Sequence, residues 1–376
     1  MRPLVVIGTR PEAIKMAPVV RAFEAAPDAD LTVVSTGQHR EMLDQMAASL
    51  AIGFDRDLAV MRPGQDLGSL TAALVTGFGD VLRDLSPSIV LVQGDTTSAF
   101  ACALAAFYQR IPVAHVEAGL RSGRLDNPFP EEANRSLLAR IADLHFAPTA
   151  LAAEHLRAEG IADSRILVTG NTVIDNLLWE VAQERGRSAF DGAAKHRLLV
   201  TLHRRENQAS VIGAMAGMLR DLASRGDVEV VLPMHLSPAV RSQIAPVLEG
   251  VDGVRLIEPL GYEDFVRTLA ECSLVVTDSG GVQEEAPSLG KPVLVVRETT
   301  ERPEGVTAGT SYLVGTEAAS VREAIEARLD AAPAAVRANP YGDGLAAERI
   351  VARVREFHRG GAGSGSVPDP RSSMDG

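Results

Sequence analysis

The amino-acid sequence predicts an α/β protein of the doubly wound, parallel-sheet kind, and three observations carry that prediction. Short apolar runs alternate with longer helical patterns along almost the whole chain. The runs are rich in Val, Ile and Leu, as in strands buried on both faces. Polar clusters follow directly on these runs, and open α/β sheets bind ligands outside the carboxyl ends of their strands.

Taken in order, strands are expected at 4–7, 32–35, 89–92, 113–116 and 166–168 in the first half. In the second half they are expected at 198–201, 229–232, 255–257, 274–277 and 293–296. A chain of 376 residues with 46% hydrophobic content suits two cores of ordinary domain size. The expected division is a first domain over 1–170 and a second over 171–344, with the hinge between Gly170 and His196, where 186–196 is polar and weakly periodic. An amphipathic closing helix over 345–359 is expected to pack back on the first domain. The segment 360–376 (GGAGSGSVPDPRSSMDG) has nothing to bury and is expected to be disordered.

The formal charge of −12 argues against nucleic-acid or anionic-membrane partners. Cys102 and Cys272 lie in apolar stretches without a C-x-x-C, which reads as two buried thiols in a reducing compartment. The apolar run 4–7 is too short for a signal-peptide core, and no stretch approaches the roughly eighteen apolar residues of a membrane helix, so a cytoplasmic location is expected.

Two strand–loop–helix segments point to a nucleotide. Leu274-Val275-Val276-Thr277 breaks at Asp278-Ser279-Gly280-Gly281 into a helical pattern. Glycines there let backbone N–H groups approach an anion, and a helix N-terminus adds partial positive charge. Glu285, one turn further on, suits the hydroxyls of a ribose. At the other end, Leu4-Val5-Val6-Ile7 runs into Gly8-Thr9-Arg10-Pro11, with Pro11 suited to the first helical position and Arg10 and Lys15 directed at the same diphosphate. Neither a Walker A loop nor a G-x-G-x-x-G is present. Each segment alone also admits a plainer reading, a simple turn for the first and a solvated basic pair for the second.

The acids follow strands. Asp95 comes after a Val- and Leu-rich run and is expected to be partly desolvated, which raises a carboxyl pKa; an N-cap role accounts for it equally well. Glu117 follows Val113-Ala114-His115-Val116 in the same way. Glu131 and Glu132 open a helix after a proline-stiffened loop, where an acidic charge also favours the helix terminus by roughly 0.3–1 kcal/mol. His203 is followed by Arg204 and Arg205 at a strand end, a pattern that faces an anion. His115-x-Glu117 lacks the P-C-x-x-C of zinc deaminases, the other histidines lack ligand spacing, and Ser279 lacks a G-x-S-x-G elbow, so no metal and no serine hydrolase is expected. Two sheets facing each other would set all these clusters across one cleft.

Eight segments together resemble the non-hydrolysing UDP-N-acetylglucosamine 2-epimerases. They are 8–15 (GTRPEAIK), 38–43 (QHREML), 94–97 (GDTT), 115–121 (HVEAGLR), 170–175 (GNTVID), 203–207 (HRREN), 278–281 (DSGG) and 300–304 (TERPE). The likeness runs from Met1 to about His358, and Arg10-Pro11-Glu12 is unlike the loop of the hydrolysing branch. The resemblance implies two Rossmann-like parallel-sheet domains facing across a cleft, of glycosyltransferase-B type. It also implies conversion of UDP-N-acetylglucosamine to UDP-N-acetylmannosamine without a cofactor.

By that likeness Arg10, Lys15, Phe265, Ser279, Gly280, Gly281, Glu285 and Arg302 hold the UDP portion, with Phe265 lining the uracil pocket. Asp95, Glu117, Glu131 and His203 surround the reacting sugar. The family is further marked by a homodimer and by a second, activating UDP-N-acetylglucosamine, held partly by Gln38 and His39. Leu202 stands where the family has glycine, and Gly64 where many members carry arginine.

With no dinucleotide fingerprint, inversion at carbon 2 is expected to go by expulsion of UDP to a 2-acetamidoglucal and re-addition. Asp95 is assigned as the C2 base and Glu117 and Glu131 to the proton return, while His203 serves the diphosphate or a sugar hydroxyl. The alternatives are epimerisation of a modified UDP-amino sugar, a glycosyltransferase of the same fold, and a nucleotide-sugar sensor without turnover.

Overall fold

The structure is a computed structural model that describes residues 1–37, 47–60, 62, 64–192, 194–202, 209–234, 237–330 and 337–361. The chain divides into two compact units, Met1–Thr169 with Leu345–Gly376, and Gly170–Gly344.

The first unit opens with β1 (Pro3–Ile7), α1 (Arg10–Glu24), β2 (Thr32–Ser35) and the short β3 (Arg56–Asp57). It continues through α2 (Leu67–Leu85), β4 (Ile89–Gln93), α3 (Thr97–Tyr108) and β5 (Val113–Val116). Next come α4 (Glu131–Ile141), β6 (Leu144–Ala147), α5 (Ala150–Ala158) and β7 (Ile166–Val168). Its seven strands are ordered β3-β2-β1-β4-β5-β6-β7, all pairs parallel.

The second unit begins with α6 (Thr172–Gln183), β8 (His196–Thr201), α7 (Ala209–Ala223), β9 (Val228–Pro233), α8 (Pro238–Leu248) and β10 (Val254–Ile257). It proceeds through α9 (Tyr262–Glu271), β11 (Leu274–Thr277), α10 (Gly280–Glu285) and β12 (Val293–Val295). It ends with α11 (Pro303–Thr307), β13 (Ser311–Leu313) and α12 (Ala318–Leu329). Its six parallel strands are ordered β10-β9-β8-β11-β12-β13.

The strand residues alternate between two cores, which explains why the runs read as continuously apolar. Leu198, Val200, Val230, Leu232, Leu274 and Val276 belong to one cluster with Leu219, Ile244 and Ile325 from α7, α8 and α12. Their sequence neighbours Leu199, Val231 and Val275 enter the other, with Leu177 of α6 and Leu269 of α9. Each fully buried aliphatic side chain of this kind contributes roughly 1.5–3 kcal/mol. A strand covered on both faces favours apolar residues at nearly every position, and the polar ones it keeps, such as Thr201 and Thr277, are paired with each other.

The parallel α/β architecture is the one that the apolar runs predict, but three strands went unread. β3 is Arg56-Asp57 and β13 is Ser311-Tyr312-Leu313, both at sheet edges, where little burial is asked of the sequence. β6 is interior but only four residues long, with His145 inside it. The helix after β1 starts at Arg10, so Pro11 occupies its second position rather than the expected first.

Beyond Gly344 the chain returns to the first unit as α13 (Ala346–Gly361), which lies against α1. Ile350 and Val354 are fully buried, Arg353 donates to the Ser164 carbonyl at 2.7 Å, and Arg355 pairs with Asp28 at 2.5 Å. The helix takes in Gly360 and Gly361 of the expected tail, and 362–376 lie outside the described residues. Among the described residues no helix is long and apolar enough to cross a membrane.

The turn after β5 brings two backbones together. Gly119 has φ +92°, and a Cβ there would stand 2.1 Å from the Ala152 carbonyl oxygen in α5. Left-handed strain and overpacking act together in Gly119→Ala, which is expected to lose roughly 3 kcal/mol of unfolding free energy. Urea unfolding checks this, and a loss below about 1 kcal/mol would contradict the close approach.

Candidate active site

Each sheet reverses its strand order once, between β1 and β4 in the first unit and between β8 and β11 in the second. Ligands of open parallel sheets lie at the carboxyl ends of the strands flanking such a reversal. The first reversal is built around a carboxylate that the sequence reading did not single out. Thr9 caps α1 and accepts from the Glu12 N–H at 3.4 Å, and Glu12 answers by accepting from the Gly8 and Thr9 amides at 2.7 and 2.6 Å. Its second oxygen accepts from the Thr96 hydroxyl at 2.6 Å, and Thr96 caps α3. One buried carboxylate therefore joins the loops after β1 and β4. Burial raises its pKa, against the hydrogen bonds that favour the charged form.

Asp95 stands one residue before that cap, so the N-cap role falls to Thr96 and not to it. The Arg135 guanidinium of α4 binds its Oδ2, and the Asn134 amide donates to its backbone oxygen at 2.9 Å. Desolvation raises the Asp95 pKa; Arg135 opposes this, the nearby Glu117 charge adds to it, and Lys15 opposes it. Glu117 is 8% exposed and carries a left-handed backbone at φ 62°, uncommon for a non-glycine residue and typical of functional turns. Lys15 Nζ lies 2.5 and 2.7 Å from its two carboxylate oxygens, and the Gln93 amide donates to Oε2. Lys15 thus forms an ion pair with the carboxylate at this reversal.

Glu131 and Glu132 separate clearly. Glu132 is 2% exposed, accepts from the Ser122 and Gly123 amides at 3.0 and 3.2 Å, and pairs with Arg135. Glu131, the first residue of α4, is half-buried and makes no side-chain hydrogen bond to another described residue. The loop before it holds two cis peptide bonds, Asn127-Pro128 and Phe129-Pro130. Arg10 is exposed at the first position of α1.

At the second reversal Ser279 is the N-cap of α10, its carbonyl accepting from the Gln283 N–H at 3.3 Å; its own N–H donates to Thr277 Oγ1 at 2.9 Å, and Thr277 meets Thr201 of β8 at 2.6 Å. Gly280 and Gly281 open the helix. A Cβ on Gly280 would lie 3.8 Å from Nη2 of Arg302, whose Nε binds the buried carboxylate of Glu284. Gln283 donates to the Ser279 carbonyl at 3.1 Å and accepts from Thr300 at 2.8 Å, which ties the loop before α11 to α10. Glu285 is 6% exposed, and Phe265 is half-buried against the core beneath α9. Gly64 has φ +73° with open space around it, while Gln38, His39 and His203 lie outside the described residues.

The structure therefore gathers Lys15, Asp95 and Glu117 at one reversal and Ser279, Gly280, Gly281 and Arg302 at the other. Sequence reasoning passed over Glu12, Gln93, Arg135 and Glu284. The first had a usable signal in the Thr9-x-x-Glu12 capping pattern. Among the described residues no group of three or more His, Cys, Asp or Glu is placed to hold a metal ion.

A sequence model for the UDP-N-acetylglucosamine 2-epimerase family matches residues 21–355. The chain is 48% identical over 370 residues to UDP-N-acetylglucosamine 2-epimerase of Escherichia coli K12, covering 94% of this chain and 98% of that protein. Its fold is similar to a crystal structure of UDP-GlcNAc 2-epimerase from Neisseria meningitidis bound to UDP-GlcNAc, with TM-score 0.84, 43% identity, and 95% and 100% of the two chains covered. The glycosyltransferase SnogD from Streptomyces nogalater shares only the fold, with TM-score 0.55 and 18% identity over 96% of this chain and 98% of that one.

Two buried histidines occupy neighbouring positions on adjacent strands of the first sheet. His115 of β5 donates through Nε2 to the Gly94 carbonyl at 2.8 Å and is in register with His145 of β6. Burial pushes the pKa of His115 down to about 3 and that of His145 down to about 4, from 6.5. Their folded values lie below the unfolded one, so this stability is complete above pH 6.5 and is lost as pH falls toward 4. At pH 5 each costs about 2 kcal/mol. His145→Gln is expected to remove about 2 kcal/mol of the fall in unfolding free energy between pH 7 and pH 5, measured by urea titration at both. An unchanged fall would refute the burial account.

Proposed function

The chain belongs to the UDP-N-acetylglucosamine 2-epimerase family, and from that premise we propose how its residues carry out the epimerisation of UDP-N-acetylglucosamine to UDP-N-acetylmannosamine. It is an isomerase. One observation carries the assignment of roles: Asp95 and Glu117 stand together at a strand-order reversal, each with its own cation, Arg135 and Lys15 respectively.

In this reading the diphosphate, the nucleoside and the reacting sugar of the UDP-sugar each have their own residues. The amides of Ser279, Gly280 and Gly281 with Arg302, Arg10 and Lys15 take the diphosphate, whose charge grows as the bond to the sugar breaks. Glu285 takes the ribose and Phe265 lines the base. Loss of UDP leaves positive charge on the sugar, which makes the hydrogen on carbon 2 removable, and Asp95 takes it to give the 2-acetamidoglucal. Burial supports this role, because a raised carboxyl pKa makes Asp95 a better base. Lys15 drawn toward the diphosphate leaves Glu117 without its counter-ion, which suits Glu117, with Glu131, to return a proton from the other face. UDP then re-adds. His203 serves the diphosphate or a sugar hydroxyl.

The remaining parts of the proposal are a homodimer working in the cytoplasm and activation by a second UDP-N-acetylglucosamine through Gln38 and His39.

Turnover in D₂O followed by NMR tests the route. Deuterium is expected at carbon 2 of the product, and product that retains its original hydrogen there would sink the proposal. Asp95→Asn is expected to lower kcat ~10²–10⁴-fold while UDP binding stays within a few-fold. Full kcat in that variant would remove Asp95 as the base.

A further inference from the structure

Behind Arg302 lies a buried network that no reaction step uses. Glu284 is 3% exposed, with one carboxylate oxygen on Arg302 Nε and the other accepting from the Asn171 amide at 2.9 Å. Asn339 donates to the Glu284 carbonyl at 2.8 Å and accepts from the Tyr341 N–H at 3.0 Å. The Tyr341 hydroxyl donates to the Arg302 carbonyl at 3.0 Å and accepts from the Gly305 N–H at 2.9 Å. The Asn171 N–H, donating to the Tyr341 carbonyl at 2.6 Å, closes the ring.

The position of this ring in the chain matters. Asn171 is the second residue after the chain leaves the first unit, and Tyr341 precedes by a few residues its return at Leu345. Both are 2% exposed. A carboxylate on Nε fixes the plane of a guanidinium, and here Nη2 is turned toward the start of α10. The carboxylate is fixed in turn by Asn171, and the Arg302 backbone by Tyr341. Support of this sort decides whether a binding group is held in one geometry or many.

We propose that Glu284 is a positioning residue for Arg302 and that, through Asn171, it joins the diphosphate-binding arginine to both chain crossings. The inference rests on the reading that Arg302 meets UDP. A coupling of this kind is reciprocal: ligand on Arg302 steadies the crossings, and disturbing a crossing loosens the ligand.

UDP is the probe, with affinity read by titration calorimetry and amide hydrogen exchange read over 168–173 and 338–344. Arg302→Ala is expected to weaken UDP at least about tenfold, and Glu284→Gln about tenfold. In the Arg302→Ala background Glu284→Gln adds little, because it acts through that arginine. The second variant is Asn171→Ser, which keeps an N-cap for α6 but is too short to reach Glu284. UDP slows exchange in both segments of the unaltered protein, and the slowing is lost in Asn171→Ser.

Glu284→Gln binding UDP within twofold of normal, while Arg302→Ala weakens it, overturns the positioning role alone. Equal slowing in Asn171→Ser overturns the link to the crossings. Unchanged affinity in Arg302→Ala overturns the placement of UDP itself, and the inference with it.

Discussion

The reversal of strand order is the constraint on which the rest depends. At β1 and β4, and again at β8 and β11, successive connections run toward opposite edges of the sheet and leave a gap between two loops. In the first unit Glu12 bridges that gap. A buried carboxylate requires donors, and Glu12 finds them in the Gly8 and Thr9 amides of one loop and the Thr96 hydroxyl of the other. The same contacts start α1 and α3, so the framework that makes the helices also sets where Asp95 and Lys15 stand.

Around that framework the unit accepts local costs that a merely structural turn would avoid. Glu117 is held in a left-handed backbone conformation, and desolvation raises the Asp95 pKa against the pull of Arg135. Each is steadied by groups from a different element: Lys15 from α1 and Gln93 from β4 for Glu117, Arg135 and Asn134 from α4 for Asp95. Departures from local preference gathered in one place, each over-determined by its surroundings, mark functional ground.

The interior strands other than β6 were legible because burial on both faces favours an apolar run, and the loop residues were legible because they follow those runs. Edge strands β3 and β13 escaped because nothing apolar is demanded of them. The finer division of labour was invisible for another reason. Glu131 and Glu132 are adjacent and chemically alike, and only the fold shows that Glu132 turns inward to loop amides while Glu131 does not. Arg135 and Glu284 carry no local sign of their roles until their partners, distant in sequence, are known. Long-range pairing leaves no local pattern.

The return of α13 to α1 makes the second unit an insertion within the first. As the polypeptide leaves the ribosome, everything from Gly170 to Gly344 emerges as one continuous stretch with both of its cores complete. The amino-terminal portion, made earlier, still lacks Ile350 and Val354 over α1. The half synthesised first is therefore completed after the second unit, and until α13 has emerged it presents an apolar face over α1 that this helix covers.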